Sequence, residues 1–172
     1  MYTRALLAHP IATKAVTAAV LAGLGDAIAQ RTADRRTPTI YDPGRSLLFA
    51  TWGALSTPVL HGWYRLLGAR LRRPLTRLIA DQALFAPLGT MGLLAFVGCW
   101  EPGGGVEAAR RRVVTQTLPV LRANYVFWPA WQFVNFTVVP APFQVLFVNV
   151  GSLVWVAWLS RHTHSPPAGS RK

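Results

Sequence analysis

The stretch Ser46–Tyr64 reads SLLFATWGALSTPVLHGWY, and the stretch Gln82–Trp100 reads QALFAPLGTMGLLAFVGCW. Each contains 19 residues and no charged side chain. A helix needs about 20 apolar residues to cross the roughly 30 Å hydrocarbon core of a bilayer. Both stretches therefore predict membrane-spanning helices and indicate an integral membrane protein.

A third apolar region, residues 10–30, is also long enough to span a bilayer. It contains Lys14 near one end and Asp26 near the other. A lysine near the end of a span can extend its ammonium group to the interface. An aspartate placed centrally would cost roughly 2.5–3.5 kcal/mol on insertion scales. We expect this region to be an uncleaved first helix.

The last apolar region, residues 123–160, has 38 positions without a charge. As one continuous helix it would extend at most about 57 Å, which is too short for two full crossings and a turn. Its segment Val139–Pro142 contains two prolines, which oppose helix, so we expect the helix to break there. The region then forms either one span with a shorter, tilted or re-entrant helix, or two short tilted spans.

Composition and charge support this class of protein. Of the 172 residues, 52% are hydrophobic and 14% are charged, a charged share well below that of soluble domains. The formal net charge is +12, and the basic residues gather in connectors between the apolar runs. That distribution suits contact with anionic lipid headgroups. No zinc-finger or RNA-binding pattern accompanies it, so nucleic acid is not expected as a partner.

The sequence therefore predicts an all-α fold, an integral membrane helical bundle with four spans and five as the alternative. Residues 106–121 place Arg110, Arg111 and Arg112 among apolar residues, which is typical of a basic amphipathic helix lying on the interface. We expect one transmembrane helical domain at residues 1–161 and a short disordered tail at residues 162–172. Orientation across the membrane is left open.

Polar side chains at membrane depth are the candidate functional residues. Such residues rarely face lipid, and they either line a pore or form hydrogen bonds between helices. Asp81 has a further interpretation, an ion pair with Arg77 one turn earlier. The candidates for pore-lining or interhelical roles are Asp26, Gln30, Asp81, Gln82, Gln132 and Asn135.

No pattern in the sequence indicates catalysis or a cofactor. It contains no nucleophile elbow, glycine-rich phosphate loop or metal-ligand spacing, and it has a single cysteine, Cys99. We therefore expect no enzyme activity, no cofactor and no metal. Small residues four apart, Ala15, Ala19, Gly23 and Ala27, allow a close helix approach, either within the bundle or in a homo-oligomer.

Several motifs resemble those of one membrane protein family. The stretch Asn124–Pro140 reads NYVFWPAWQFVNFTVVP and is followed by WVAWLS at Trp155–Ser160. With His9-Pro10, Gly25-Asp26, Gly62-Trp63-Tyr64 and Asp81-Gln82, these motifs are similar in order and spacing to the Mpv-seventeen / peroxisomal-membrane-protein-twenty-two family. The matching family positions are Gly25, Trp63, Tyr64, Pro87, Trp128, Pro129, Phe136, Pro140, Trp155, Leu159 and Ser160.

The resemblance implies a small multi-pass protein of the mitochondrial inner membrane, with the peroxisomal membrane as the alternative. It also implies an association with membrane permeability and with metabolite or ion homeostasis. The sequence departs from the family at Gln144, where a basic residue is usual, and at Trp158, where tyrosine is usual. The loss of the positive charge puts any anion-attracting role of that first position in doubt.

Two functional hypotheses follow. The first is a channel-like or permeability-modulating protein, whose partners are the lipid bilayer and the small solutes or ions that pass. The alternative is a non-conducting structural or assembly factor in a membrane protein complex, bound to partners through its basic segment.

Overall fold

The computed structural model describes the backbone of residues 2–32 and 41–163 and the side chains of residues 2–31 and 41–155. No β-strand occurs in these ranges, so the all-α prediction is confirmed for them. The helices are α1 (Tyr2–Ala8), α2 (Pro10–Thr32), α3 (Pro43–Arg70), α4 (Pro74–Ala80), α5 (Ala86–Trp100), α6 (Val106–Thr137) and α7 (Gln144–Thr163). A π-helical turn, Asp81–Phe85, joins α4 to α5, and a 3-10 turn, Ala141–Phe143, precedes α7.

Among the residues that the structure describes, two helices have the length and apolar composition of a membrane span. They are Pro10–Arg31 and the continuous unit Pro74–Trp100, while Ala141–Trp155 is a shorter apolar helix. The predicted span at Gln82–Trp100 is thus part of a longer helical unit. The count of four spans is not confirmed and stays a prediction.

The basic segment at residues 106–121 is not a separate helix. It forms the first half of α6, which continues for 32 residues through Pro119 and Pro129. It also packs on α5, because a Cβ atom at Gly98 would lie 2.5 Å from the Cα of Ala109. The predicted interfacial helix is therefore not confirmed, since the pattern of charges indicates an amphipathic face but does not indicate where a helix ends.

The helix break near Val139–Pro142 is confirmed. The last residue of α6 is Thr137, and α7 begins at Gln144 after the 3-10 turn. Pro140 and Pro142 lack the backbone N–H that a continuing helix would require, which accounts for the break.

Helices α2 and α3 pack closely and run antiparallel. Gly53 lies against the backbone of Ala18, where a Cβ atom would come within 2.7 Å of the carbonyl oxygen. At this end of α2, Lys14 is only 4% exposed. Its Nζ lies 3.0 Å from Nδ1 of His61 on α3. The contact between these two side chains links α2 and α3 at this end of the pair.

A small apolar core joins α3, α6 and α7 at the opposite end of α3 from Pro43. It contains Tyr64, Leu67, Phe136 and Val145. The rings of Tyr64 and Phe136 meet edge to face, with centroids 5.4 Å apart. This packing positions the Tyr64 hydroxyl beside polar side chains of α6.

Some predictions fall outside the described residues. Arg35 and Arg36, basic residues in the connector between the first two apolar regions, lie there, as does the predicted disordered tail from residue 164 onward. His162 and Thr163, which belong to the predicted tail, are the last two residues of α7. The domain boundaries stay a prediction.

Candidate functional site

The first polar cluster, which we call the Asp26 cluster, ties the end of α2 to the start of α3. Oδ2 of Asp26 accepts hydrogen bonds from Gln30 Nε2 at 2.6 Å and from Ser46 Oγ at 2.9 Å. Oδ1 of Asp26 pairs with Nε of Arg45 at 2.9 Å. Gln30 also exchanges hydrogen bonds with the backbone of Asp42, at 2.8 and 3.0 Å. The buried carboxylate is therefore fully compensated, as a charge at membrane depth requires.

The second cluster, which we call the Asp81 cluster, joins three elements around a carboxylate that is 2% exposed. Oδ1 of Asp81 accepts from Nε1 of Trp63 on α3 at 2.9 Å. Oδ2 accepts from Nε2 of Gln132 on α6 at 2.8 Å and from Nε2 of Gln82 at 3.1 Å. Three neutral N–H donors thus stabilise the carboxylate without a cation.

The Asp81 cluster extends along α6 through amide side chains. Nε2 of Gln132 also donates to the Tyr64 hydroxyl at 2.7 Å, and Nδ2 of Asn135 donates to Oε1 of Gln132 at 2.8 Å. Gln144, at the start of α7, donates to the backbone oxygens of Asn135 and Val139 at 3.4 and 3.3 Å. Gln144 therefore links the start of α7 to the C-terminal end of α6.

The π-helical turn lies just before Pro87. Ala86 donates its N–H to the carbonyl of Asp81, five residues back. In this register the next donor would bond to the carbonyl of Gln82, but Pro87 has no N–H. The Tyr125 hydroxyl donates to that carbonyl instead, at 3.0 Å.

The proposed ion pair between Asp81 and Arg77 is not formed. Nε of Arg77 donates to the backbone oxygen of Leu71 at 2.8 Å, so the arginine caps the connector before α4. The i, i+4 spacing allows such a pair, but the carboxylate oxygens of Asp81 instead accept hydrogen bonds from the Gln132 amide and the Trp63 indole.

The six candidate residues therefore fall into two groups at opposite ends of the bundle. Asp26 and Gln30 belong to one group, and Asp81, Gln82, Gln132 and Asn135 belong to the other. Most of the side-chain hydrogen bonds described above join different helices or tie a helix to an adjoining connector. This geometry favours interhelical bonding for these residues, and their pore-lining role stays a prediction. The sequence did not reveal that Trp63 and Tyr64 act as polar partners, since both were noted only as motif residues.

Two adjoining cavities separate α3 from α5. The first has a volume of about 780 Å³ and extends from the charged residues Asp42, Arg45, Glu101 and Arg112 down to Leu55. The second has a volume of about 510 Å³, shares Leu55 and continues to Trp63 and Leu66. None of the six candidate residues lines either cavity.

The family motif residues mark helix contacts. Gly25 lies against Leu153 of α7, where a Cβ atom would come within 2.9 Å of its side chain. The Phe127 ring lies 5.3 Å from that of Trp128 and 5.5 Å from that of Trp155, centroid to centroid. Pro129 lies within α6, Phe136 in the core and Pro140 in the turn before α7. The side chains of Trp158, Leu159 and Ser160 lie outside the described residues.

Comparison with known proteins gives a consistent assignment. The sequence model of the Mpv17 / PMP22 family matches residues 98–160. The mitochondrial inner membrane protein Mpv17 of Drosophila melanogaster is 35% identical over 84% of this chain and 90% of its own length. Protein SYM1 of Eremothecium gossypii is 38% identical over 92% of both chains. The human mitochondrial inner membrane protein Mpv17 is 32% identical over 95% of this chain. No solved structure matches the chain significantly.

The relatives that carry a location in their names are proteins of the mitochondrial inner membrane, and the apolar helices of this chain suit that location. The chain belongs to the Mpv17 / PMP22 family and is a protein of the mitochondrial inner membrane.

Proposed function

We propose that the protein modulates the permeability of the mitochondrial inner membrane by forming a water-filled path for small anions along the outer face of α6. A non-catalytic role is part of this proposal, because the sequence contains no nucleophile, phosphate-loop or metal-ligand pattern. The observation that carries the proposal is an exposed arginine, Arg122, in the middle of the long helix α6.

The depth of Arg122 follows from its neighbour on α5. Asn124 donates a hydrogen bond to the hydroxyl of Thr90 at 3.3 Å. Thr90 lies ten residues before Trp100, which is about 15 Å of helix and half of a roughly 30 Å hydrocarbon core. Arg122 also follows Ala109, which packs on Gly98, by thirteen residues or about 20 Å of helix, so its Cα lies well inside the proposed span rather than at the Trp100 end.

Within the part of the chain that the structure describes, no acidic side chain pairs with Arg122. Asp26 and Asp81 are held in their clusters, and Glu101 and Glu107 pair with Arg112 and Arg110. An exposed, unpaired guanidinium at this depth is costly in contact with lipid, which favours contact with water.

Two more polar residues lie on the same face of α6. Arg111 precedes Arg122 by eleven residues, or about three helical turns, and Thr115 precedes it by seven residues, or about two turns. Both are exposed. We call Arg111, Thr115 and Arg122 the basic stripe. It connects the charged end of the bundle with its middle and would attract anions.

For the membrane topology we propose that α2, α3, the α4–α5 unit, α6 and α7 each cross the bilayer. The antiparallel contacts of α2 with α3 support this arrangement, as do those of α5 with α6. Beyond the turn that joins α6 to α7, Nε1 of Trp131 on α6 donates to the backbone oxygen of Phe147 on α7 at 3.1 Å. This close return of α7 along α6 favours the five-span alternative.

Purified protein in liposomes under a KCl gradient tests the proposed path. We expect wild-type protein to conduct with a reversal potential shifted toward that of chloride. Arg122→Gln is expected to reduce this shift and Arg122→Glu to reverse it, because the charge at the narrow middle of the path sets ion preference. Arg110→Gln is the matched control, since this exposed arginine is already paired with Glu107.

The same recordings would also contradict the proposal. Unchanged selectivity in folded Arg122→Glu protein would exclude the basic stripe as the path. Complete silence of folded protein, across voltage, pH and redox conditions, would favour the structural or assembly factor. The internal hydrogen bonding of the six candidate residues favours that second function. It would act through partners at Arg110, Arg111 and Arg112.

A further inference from the structure

The larger cavity between α3 and α5 combines an apolar wall with a charged mouth. Below the mouth its wall contains Leu47, Leu55, Phe96 and Trp100. It follows α3 from Arg45 to Leu55, which is ten residues or about 15 Å, the depth of one leaflet. These dimensions suit one acyl chain that enters from the leaflet at this end of the bundle.

The mouth of the cavity carries two arginines and two carboxylates. Arg112 makes a two-nitrogen ion pair with Glu101, with distances from 2.5 to 2.9 Å. Arg45 uses only its Nε for Asp26, and its side chain remains 52% exposed. Among the described residues, no acceptor bonds to the terminal nitrogens of Arg45. A guanidinium with free N–H groups at this depth is suited to bind a phosphate.

The charges at the mouth of the cavity determine which class of lipid headgroup it suits. The second arginine is neutralised by Glu101, and the carboxylate of Asp42 lies beside Arg45 at the mouth. An additional negative charge would be repelled there, whereas an ammonium group would be attracted to the carboxylates. The mouth is therefore complementary to a headgroup with one phosphate and one ammonium.

We propose that this cavity binds a zwitterionic phospholipid of the phosphatidylethanolamine type, with its phosphate on Arg45 and one acyl chain along Leu55. The ring of Trp52 approaches that of Phe96 with centroids 5.4 Å apart. Trp52 lines the second cavity and Phe96 the first, so we place the end of the acyl chain where the two cavities meet, near the middle of the bundle. The inference does not depend on the proposed anion path, because it concerns α3 and α5 rather than the basic stripe.

Native mass spectrometry of the delipidated full chain tests this inference, with phosphatidylethanolamine and phosphatidylglycerol of identical acyl chains as probes. We expect wild-type protein to retain phosphatidylethanolamine preferentially. Arg45→Gln should weaken its binding about tenfold or more, because a charge-assisted hydrogen bond to phosphate is lost. Arg110→Gln, a paired arginine at the same end of the bundle, should leave binding unchanged.

A second variant keeps the test decisive if Arg45→Gln disturbs the Asp26 cluster. Leu55→Trp should fill the cavity and weaken phosphatidylethanolamine binding by a similar factor. Its control is Leu24→Trp on α2, since the two leucines are 60% and 53% exposed and Leu24 does not line the cavity. Equal retention of both lipids by wild-type protein, or unchanged binding in Leu55→Trp, would overturn the proposal.

Discussion

Replacing Gln132 with leucine is expected to lower the free energy of unfolding by about 2–5 kcal/mol. Gln132 takes part in three side-chain hydrogen bonds, with Tyr64, Asp81 and Asn135. Hydrogen bonds between helices in membranes contribute roughly 0.6–1.7 kcal/mol each, which gives this range for the three together. Equilibrium unfolding in mixed micelles, followed by helical circular dichroism, measures the change.

Gln116→Leu is the matched control for this experiment. It makes the same substitution on the same helix, at an exposed position for which the structure describes no side-chain hydrogen bond. We expect a change within about 0.5 kcal/mol, as is usual for surface substitutions. Similar losses in Gln116→Leu and Gln132→Leu would contradict the role of the Asp81 cluster in holding α3, α4 and α6 together.

Gly53→Leu is expected to destabilise the bundle by about 3 kcal/mol or more. A Cβ atom at this position would lie 2.7 Å from the Ala18 carbonyl oxygen and 3.1 Å from the Cβ of Ala22. Backbone cannot move aside as a flexible side chain can, so α2 and α3 must separate. The midpoint temperature of aggregation in detergent, measured by light scattering during heating, reports the loss of thermal stability.

Gly68→Leu is the control, because it lies on the same helix and a Cβ atom there meets nothing within 4 Å. Since both changes remove a helical glycine, their intrinsic helix propensities change alike. A Gly53→Leu protein as stable as Gly68→Leu would show that α2 and α3 do not approach as closely as described.

Much of the backbone could be predicted from patterns within single segments. Runs of uncharged residues indicated helices, and the two prolines at Pro140 and Pro142 indicated the end of α6. These features are local, because a proline lacks its N–H whatever surrounds it. The length of α6 was missed for the same reason. Pro119 can remain inside a helix when neighbouring elements support it, and a sequence does not show those neighbours.

The candidate residues could be recognised by type but not by partner. Asp81 and Gln132 are 51 positions apart in sequence, and only the packing of α4 against α6 brings them within hydrogen-bond distance. The pairing of Lys14 with His61 depends similarly on how α2 and α3 meet. The sequence does not single out Arg122 as a site residue, because its depth depends on how α6 packs against α5.

Water access to position 122 tests the central claim most directly. Cys99 is the only cysteine, so Cys99→Ser gives a cysteine-free chain in which Arg122→Cys can be labelled selectively. Val20→Cys is the control, since Val20 lies in the middle of the α2 span, is apolar and is 54% exposed. In liposomes, a charged, membrane-impermeant thiol reagent is expected to modify position 122 rapidly and position 20 hardly at all. Equal protection of the two positions would place Arg122 against lipid or protein and contradict a water-filled path along α6.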